Sequence, residues 1–291
     1  MGKKAQKMKS VTKSKTKAHK QKVKSHKKNK ISKPKYRTKQ RSESQDKFKK
    51  PEAPLTDYLA HKSNYIAVRF IFECGIKLGL KHITICSAAV YFHKFYKHVD
   101  ANTYDNYLTA YRNLSIASAT LYLASKVHDE TVRLRDLINV CYHTLHRDAA
   151  PLRLAEDYWN FRDSIVHAEM LIMRILQFDT TFDHPHNYFL HYVQTLRPVF
   201  YSKHGKDIIV FKKAYDFLHD FYHSSDILQF KAQHIAIACI ELAIKVYGIP
   251  SQIIDYEIQP WYQALVEDLD KDTIWKAMAA IMDTYDLELT D

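Results

Sequence analysis

The chain has 291 residues, with 44 Lys and Arg against 32 Asp and Glu, a formal net charge of +12, 46% hydrophobic residues and five glycines. Gly2, Gly75, Gly79, Gly205 and Gly248 are spaced as neither a dinucleotide fingerprint, a phosphate-binding P-loop nor a Gly-x-Ser-x-Gly elbow, which argues against most nucleotide-using enzymes and α/β-hydrolases. The charge is also unevenly placed: 21 basic residues and two acids fall in residues 1–50, so that segment carries +19 and the remainder −7.

A segment so rich in lysine and so poor in large apolar side chains cannot bury enough surface to offset its ordering entropy, so residues 1–55 are predicted to be a disordered Lys-rich tail. Two clusters, Lys27, Lys28 and Lys30 and then Lys47, Lys49 and Lys50, suit recognition by importin and hence a nuclear address, with the cytoplasm as a second compartment. Weak, non-specific nucleic-acid binding is the other reading of such a tail, and its affinity would fall steeply with salt. Tyr36 and Phe48 are the tail's only large aromatics, too few for base stacking along a single strand. No apolar run approaches the roughly 20 residues of a membrane span, so a soluble chain without a membrane partner is expected. Gln6 stands where a myristoylation signal needs Ser or Thr. Cys74, Cys86, Cys141 and Cys239 lie far apart inside apolar runs, as small core residues of a reduced intracellular protein do.

Between Pro54 and Pro151 there is no proline, and apolar residues recur at spacings of three and four, the pattern of amphipathic helices. Helices are predicted at residues 63–79, with Gly79 as the stop, 83–98, 104–127, 132–146 and 157–178. Asp183-His184-Pro185 then breaks the chain, because proline disfavours helix at the residue before it and suits the first turn of the next. A second set of five is predicted at 185–197, 207–223, 228–247, 259–267 and 271–286. The fold class is therefore all-α.

The two sets are related by an internal repeat. Ser115–Val127 reads SIASATLYLASKV and His234–Val246 reads HIAIACIELAIKV, with seven of 13 positions identical at a constant offset of 119 residues. Both segments are rich in small residues and apolar almost all round, as a helix enclosed by neighbours must be. Each is the third helix of its set, which points to a duplicated five-helix unit.

Two charges stand where such helices should have none. At about 100° per residue, Glu169 projects inside the apolar arc formed by Ile165, Ile172, Leu176 and Met173. A carboxylate buried there alone would cost several kcal/mol, so it is expected to be paired or to form part of an interface. Lys126 is the first charge after Leu114–Ser125, and at a helix C-terminus it both complements the macrodipole and can reach outward.

Leu123-Ala124-Ser125-Lys126-Val127 ending the first central helix, Glu169 in the fifth helix and the two five-helix repeats together resemble the cyclins. Ile85–Tyr96 (ICSAAVYFHKFY) and Asp183-His184-Pro185-His186 look like the transcription-type members. Arg69–Gly79 (RFIFECGIKLG), Arg133–Val140 (RLRDLINV), Trp159–Phe178 and Phe230–Ala238 point to the cyclin Q branch. The resemblance implies an N-terminal cyclin box over residues 56–181 and a C-terminal box over 182–291. It implies a heterodimer with a cyclin-dependent kinase, kinase 10 in the case of cyclin Q, in which the chain is a non-catalytic activator and needs no cofactor. It further implies that Lys126 and Glu169 hydrogen-bond the kinase backbone beside its αC helix while Val127 and Met173 pack on that helix; the helical projection adds Leu176 to the same groove. Where cyclins commonly have two glutamates, this chain has His128-Asp129-Glu130, and the first-helix position of the cell-cycle cyclins' docking tryptophan falls close to Gly75, so docking of Arg-x-Leu substrates is not expected.

The alternative is a nucleic-acid-binding transcription factor built on the same repeats; the acidic body and the absence of any cysteine before Cys74, hence of an N-terminal zinc ribbon, speak against it. His219 and His223 have the spacing of a helical metal pair, but lacking a third ligand nearby in sequence they read as a solvated helix face, and no metal is expected. His184 and His186, flanking Pro185, read as helix-entry residues. Acidic pairs such as Glu156 and Asp157 read as ordinary charged helix ends rather than catalytic carboxylates.

Overall fold

The computed structural model describes residues 58, 63–99, 109–148, 150, 152–204, 207–248 and 260–290. The basic tail with Lys27, Lys28, Lys30, Lys47, Lys49 and Lys50 lies outside the described residues. Among those residues there are nine α-helices and no strand: α1 (Asn64–Lys77), α2 (His82–His98), α3 (Thr109–Val127), α4 (Leu134–Leu145), α5 (Glu156–Ile175), α6 (Pro185–His204), α7 (Asp207–Phe221), α8 (Ala232–Val246) and α9 (Lys271–Thr290). No described helix is long and apolar enough to cross a membrane.

Helix ends follow local chemistry. The Ser63 side chain accepts from the Ile66 amide and caps α1. Gly79, at φ +71°, then ends it in a Schellman turn, with Leu80 N donating to Gly75 O at 3.1 Å and Gly79 N to Ile76 O at 3.0 Å. Gly75 is itself a contact residue: a Cβ there would stand 2.6 Å from Ile85 Cγ1, so glycine is what lets α1 and α2 approach this closely. Pro185 opens α6, as the sequence predicts.

The duplicated helices α3 and α8 form the axes of the fold. α3 packs against α1, α2, α4 and α5, and α8 against α6, α7 and α9. The alanine pairs shared by the repeat, Ala117 and Ala236, Ala119 and Ala238, Ala124 and Ala243, are all fully buried, and their lack of bulk allows neighbours on every side. Three buried hydroxyls of α3 are returned to its own backbone: Ser118 Oγ donates to Leu114 O, Thr120 Oγ1 to Ala117 O and Ser125 Oγ to Tyr122 O. All four cysteines are buried and none forms a disulfide.

Three predicted elements differ. The helix expected at 259–267 is a 3-10 turn at Trp261–Ala264, entered from Pro260 and fixed by Trp261 Nε1 donating to Glu241 Oε2 at 2.9 Å. The helix expected from 228 starts at Ala232, because Ser224 caps a separate 3-10 turn at Ser225–Leu228 by accepting from Asp226 N. α6 continues through Pro198 to His204 instead of stopping at 197. His219 on α7 and His223, two residues beyond its end, are also not a solvated helix face: both pack on Phe72 of α1, with ring centroids 4.7 and 4.8 Å away.

Candidate partner-binding site

Lys126 and Glu169 meet. Lys126 Nζ donates to both Glu169 oxygens, at 2.7 and 2.9 Å, and lies 4.0 Å over the Tyr122 ring. The Glu169 side chain is 14% exposed and that of Lys126 48%. The carboxylate inside the apolar arc of α5 is thus paired, and its partner is a half-exposed cation rather than a core group.

The pair stands at one edge of an exposed apolar stripe. Tyr158, Ile165, Ala168 and Ile172 of α5 face the core. On the adjoining arc Trp159, Val166 and Met170 are 49%, 36% and 50% exposed, with partly buried Met173 between them and Glu169. The spacing of Trp159, Val166 and Met170 at seven and four holds them on one side of the helix, within about 40° of each other. Val127, 40% exposed, extends the surface at the end of α3. Leu176 does not: at the C-cap of α5 it is buried in the core and presents no surface, because the chain turns there through left-handed Gln177 and Phe178. Val127 and Met173 came from the resemblance; Trp159, Val166 and Met170 did not, although a second apolar arc on a helix already supplied with a core face was a signal for them.

The residues that follow Lys126 are occupied inside the chain. His128 Nε2 meets Ser87 Oγ at 2.7 Å. Asp129, at φ 54°, is the left-handed residue of a Schellman turn, with Glu130 N donating to Ser125 O at 2.8 Å. Glu130 accepts from Lys81 N at 3.0 Å, satisfying the otherwise uncapped start of α2.

His184 and His186 join the N-terminal helices to the C-terminal ones. His184 is buried, with Nε2 at 2.9 Å from Ser87 Oγ on α2 and Nδ1 at 2.9 Å from the Tyr222 hydroxyl. On the same seam His93 Nε2 donates to Tyr222 O at 2.9 Å, and Tyr91 and Lys94 donate to the carbonyls of Thr180 and Thr181. Burial pushes His184 and His93 down to about 4, so both rings are neutral at pH 7.

Comparison with known proteins agrees with this architecture. The family described as the cyclin N-terminal domain matches residues 19–181, more than half of the chain. The chain is 28% identical to cyclin pch1 of Schizosaccharomyces pombe over 178 residues, which are 60% of this chain and 48% of that one. It is 29% identical to cyclin-L1 of Xenopus laevis over 184 residues, 62% of this chain and 34% of that one. With human cyclin-K the identity is 24% over 226 residues, covering 75% and 35%. The chain thus matches a third to a half of the length of these relatives. Among solved structures, a chain of the yeast RNA Pol II CTD kinase CTDK-1 complex superposes with a TM-score of 0.57 at 16% identity, covering 79% of this chain and 67% of that one. A chain of the CAK complex of Chaetomium thermophilum bound to ATP-gamma-S gives 0.55 at 16% identity, covering 82% and 67%. With the two helical repeats, the family match and these relatives in agreement, the chain belongs to the cyclin family, among its transcription-type members.

Proposed function

We propose that this cyclin is the non-catalytic, activating subunit of a cyclin-dependent kinase, and that the surface formed by the end of α3 and the outer arc of α5 is where the kinase docks. The observation that carries this reading is the Lys126–Glu169 pair, bidentate and half-exposed at the margin of Val127, Met173, Trp159, Val166 and Met170. Such a patch has the composition of an interface core: aromatic and methionine side chains, with a charged group at the edge. Within it Lys126 retains donor capacity and Glu169 acceptor capacity for backbone groups of a partner.

An active kinase needs its β3 lysine paired with the αC glutamate. A subunit that binds the αC-in state better than the αC-out state supplies no catalytic group and still activates; taking that equilibrium from 1:99 to 99:1 requires about 5.5 kcal/mol of differential binding. A packed helix face and charge-assisted hydrogen bonds are the interactions able to provide it. The finer assignment, on the sequence motifs, is to the cyclin Q branch with kinase 10 as partner, through an N-terminal box at 56–181 and a C-terminal box at 182–291. The Lys-rich tail then serves importin-dependent nuclear entry.

The test is co-purification with kinase 10 followed by a kinase assay. Wild-type chain is expected to recover and activate the kinase, and Lys126→Ala with Glu169→Ala to lose both. Full activation by the double variant would overturn the docking surface; recovery of nucleic acid without any kinase would overturn the function.

A further inference from the structure

A second cluster, away from the α3–α5 surface and independent of the proposal just made, lies between α2, α6 and α7. His82 and Cys86 stand one turn apart on α2, and His186 comes from the first turn of α6. The ligating atoms of the three residues lie within 4.8 Å of one another. Cys86 Sγ is 3.5 Å from His82 Nδ1. A tetrahedral zinc ion, with bonds of about 2.1 Å to nitrogen and about 2.3 Å to sulfur, separates two such ligands by about 3.6 Å. The ring of His219, from α7, is centred 4.0 Å from that of His82.

The hydrogen bonds behind the cluster fix which atom of His186 is available. Ser87 Oγ gives its only proton to Ile83 O, and its two lone pairs then accept from His128 Nε2 and from His184 Nε2. Neutral His184 then accepts at Nδ1 from the Tyr222 hydroxyl, whose proton is thereby used. Tyr222 in turn accepts from His186 Nδ1 at 3.2 Å. This leaves His186 Nε2 as a bare lone pair, and that atom is buried without a hydrogen-bond partner. A ligating histidine whose other ring nitrogen is held by a fixed acceptor is the usual arrangement around bound metal. A buried acceptor left open costs about 1–3 kcal/mol when nothing fills it.

We infer that His82, Cys86 and His186 bind a zinc ion that fastens the N-terminal helical repeat to the C-terminal one, with His219 as the neighbouring nitrogen for the fourth position. Two imidazoles and a thiolate are borderline-to-soft ligands that favour zinc over magnesium or calcium. Binding converts the Cys86 thiol to a zinc thiolate and releases its proton to solvent; the imidazoles bind as they are, with no proton to lose. Burial pushes the Cys86 thiol up, which keeps it protonated until a cation replaces the proton. Phe72 and Tyr215 pack their rings against His82, and Tyr222 packs against His186.

The test uses the full chain, purified without chelator. Elemental analysis is expected to give one zinc per chain, and cobalt(II) exchanged into the site to give a thiolate-to-metal charge-transfer band with the intense visible bands of tetrahedral cobalt. Cys86→Ala and His186→Gln are expected to lose both signals, whereas Cys239→Ala, a buried thiol in α8, is expected to retain them. Where the site variants unfold, stripping and restoring zinc in the wild-type chain takes their place: the melting temperature falls on removal and recovers with zinc but not with magnesium. A wild-type chain that takes up less than one equivalent of zinc, a cobalt band unaffected by Cys86→Ala, or a melting temperature indifferent to zinc overturns the inference.

Discussion

Lys126 and Lys245 occupy the same place at the ends of α3 and α8, 119 residues apart in a repeated sequence, yet their side chains are used differently. Lys126 takes its carboxylate from another helix, pairing with Glu169 of α5 on a half-exposed edge. Lys245 pairs at 3.5 Å with Glu241 of its own helix and lies 4.0 Å over the Trp275 ring of α9. Glu241 is buried and also accepts from Trp261 Nε1. In the first repeat the carboxylate comes from a second helix and borders an open apolar surface; in the second the buried carboxylate of Glu241 ties Trp261 to α8, while Lys245, 39% exposed, lies over the half-exposed Trp275. The two copies share a framework and a lysine, and differ in whether its carboxylate comes from another helix or from the same one.

The largest effects should separate the two copies by readout. Glu169→Arg places two cations together on the proposed docking surface and is expected to weaken kinase binding about a hundredfold, roughly 3 kcal/mol, with a smaller loss of stability, about 1 kcal/mol, because Glu169 is largely buried while its partner Lys126 stays half in water. Glu241→Ala should do the reverse. It leaves the buried Trp261 N–H without an acceptor, costs about 2 kcal/mol and lowers the melting temperature by about 5 °C with kinase affinity unchanged. Titration calorimetry and thermal melts on both variants check this. Equal losses of affinity in the two would break the distinction drawn between the repeats.

How far this was legible beforehand differs by feature. Apolar spacing of three and four sufficed for the helices of the first repeat, where Ser63 and Gly79 are strong local signals for the ends of α1, as Pro185 is for the start of the second set. Glu169 was legible because a carboxylate inside an apolar arc demands a partner. The exposed stripe of Trp159, Val166 and Met170 was not, since periodicity shows that α5 has apolar residues on two arcs without showing which arc meets α3. Leu176 was misplaced for the same reason. The histidine cluster was beyond any local reading: His82, His186 and His219 come from helices brought together only by the meeting of the two repeats, so sequence spacing offered His223 as the partner of His219 and gave no sign of His82 or His186.

The seam between the repeats makes a prediction in pH. His93 is buried; burial is the main cause of its pKa of about 4, opposed by the hydrogen bond to Tyr222 O and by Asp226, and His223, the other titratable ring facing it, is likewise held near 4. The unfolded chain takes up this proton below about 6.5 and the folded chain only near 4. Stability from His93 is therefore complete above pH 6.5 and is lost as the pH falls toward 4, by about 2 kcal/mol between pH 7 and 5. Urea unfolding at both pH values should show that loss reduced by about that amount in His93→Gln, whose amide can still donate to Tyr222 O. An unchanged pH dependence would mean that the two repeats are not held at this point by a neutral imidazole.

The smallest effect concerns how the two central helices stop. The repeat offset places Asp129 and Gly248 at equivalent positions, and both are left-handed, at φ 54° and 60°. Glycine takes that conformation without steric penalty, whereas aspartate pays for its Cβ, by about 1 kcal/mol. Asp129→Gly is accordingly expected to stabilise the chain slightly, by less than 1 kcal/mol once the greater freedom of glycine in the unfolded chain is set against the relief of strain. Gly248→Asp should destabilise it by a similar amount. In both positions a Cβ meets open space or is already accommodated, with nothing within 4 Å at Gly248, so the backbone angle alone is being exchanged. Because Asp129 directly follows the Lys126–Val127–His128 edge, kinase affinity measured on Asp129→Gly also tells whether the α3 terminus is held by its Schellman turn or by the Glu130 bond to Lys81 N. Retained affinity with a raised melting temperature assigns the turn a purely structural role, and lost affinity assigns the Asp129 side chain to the docking surface.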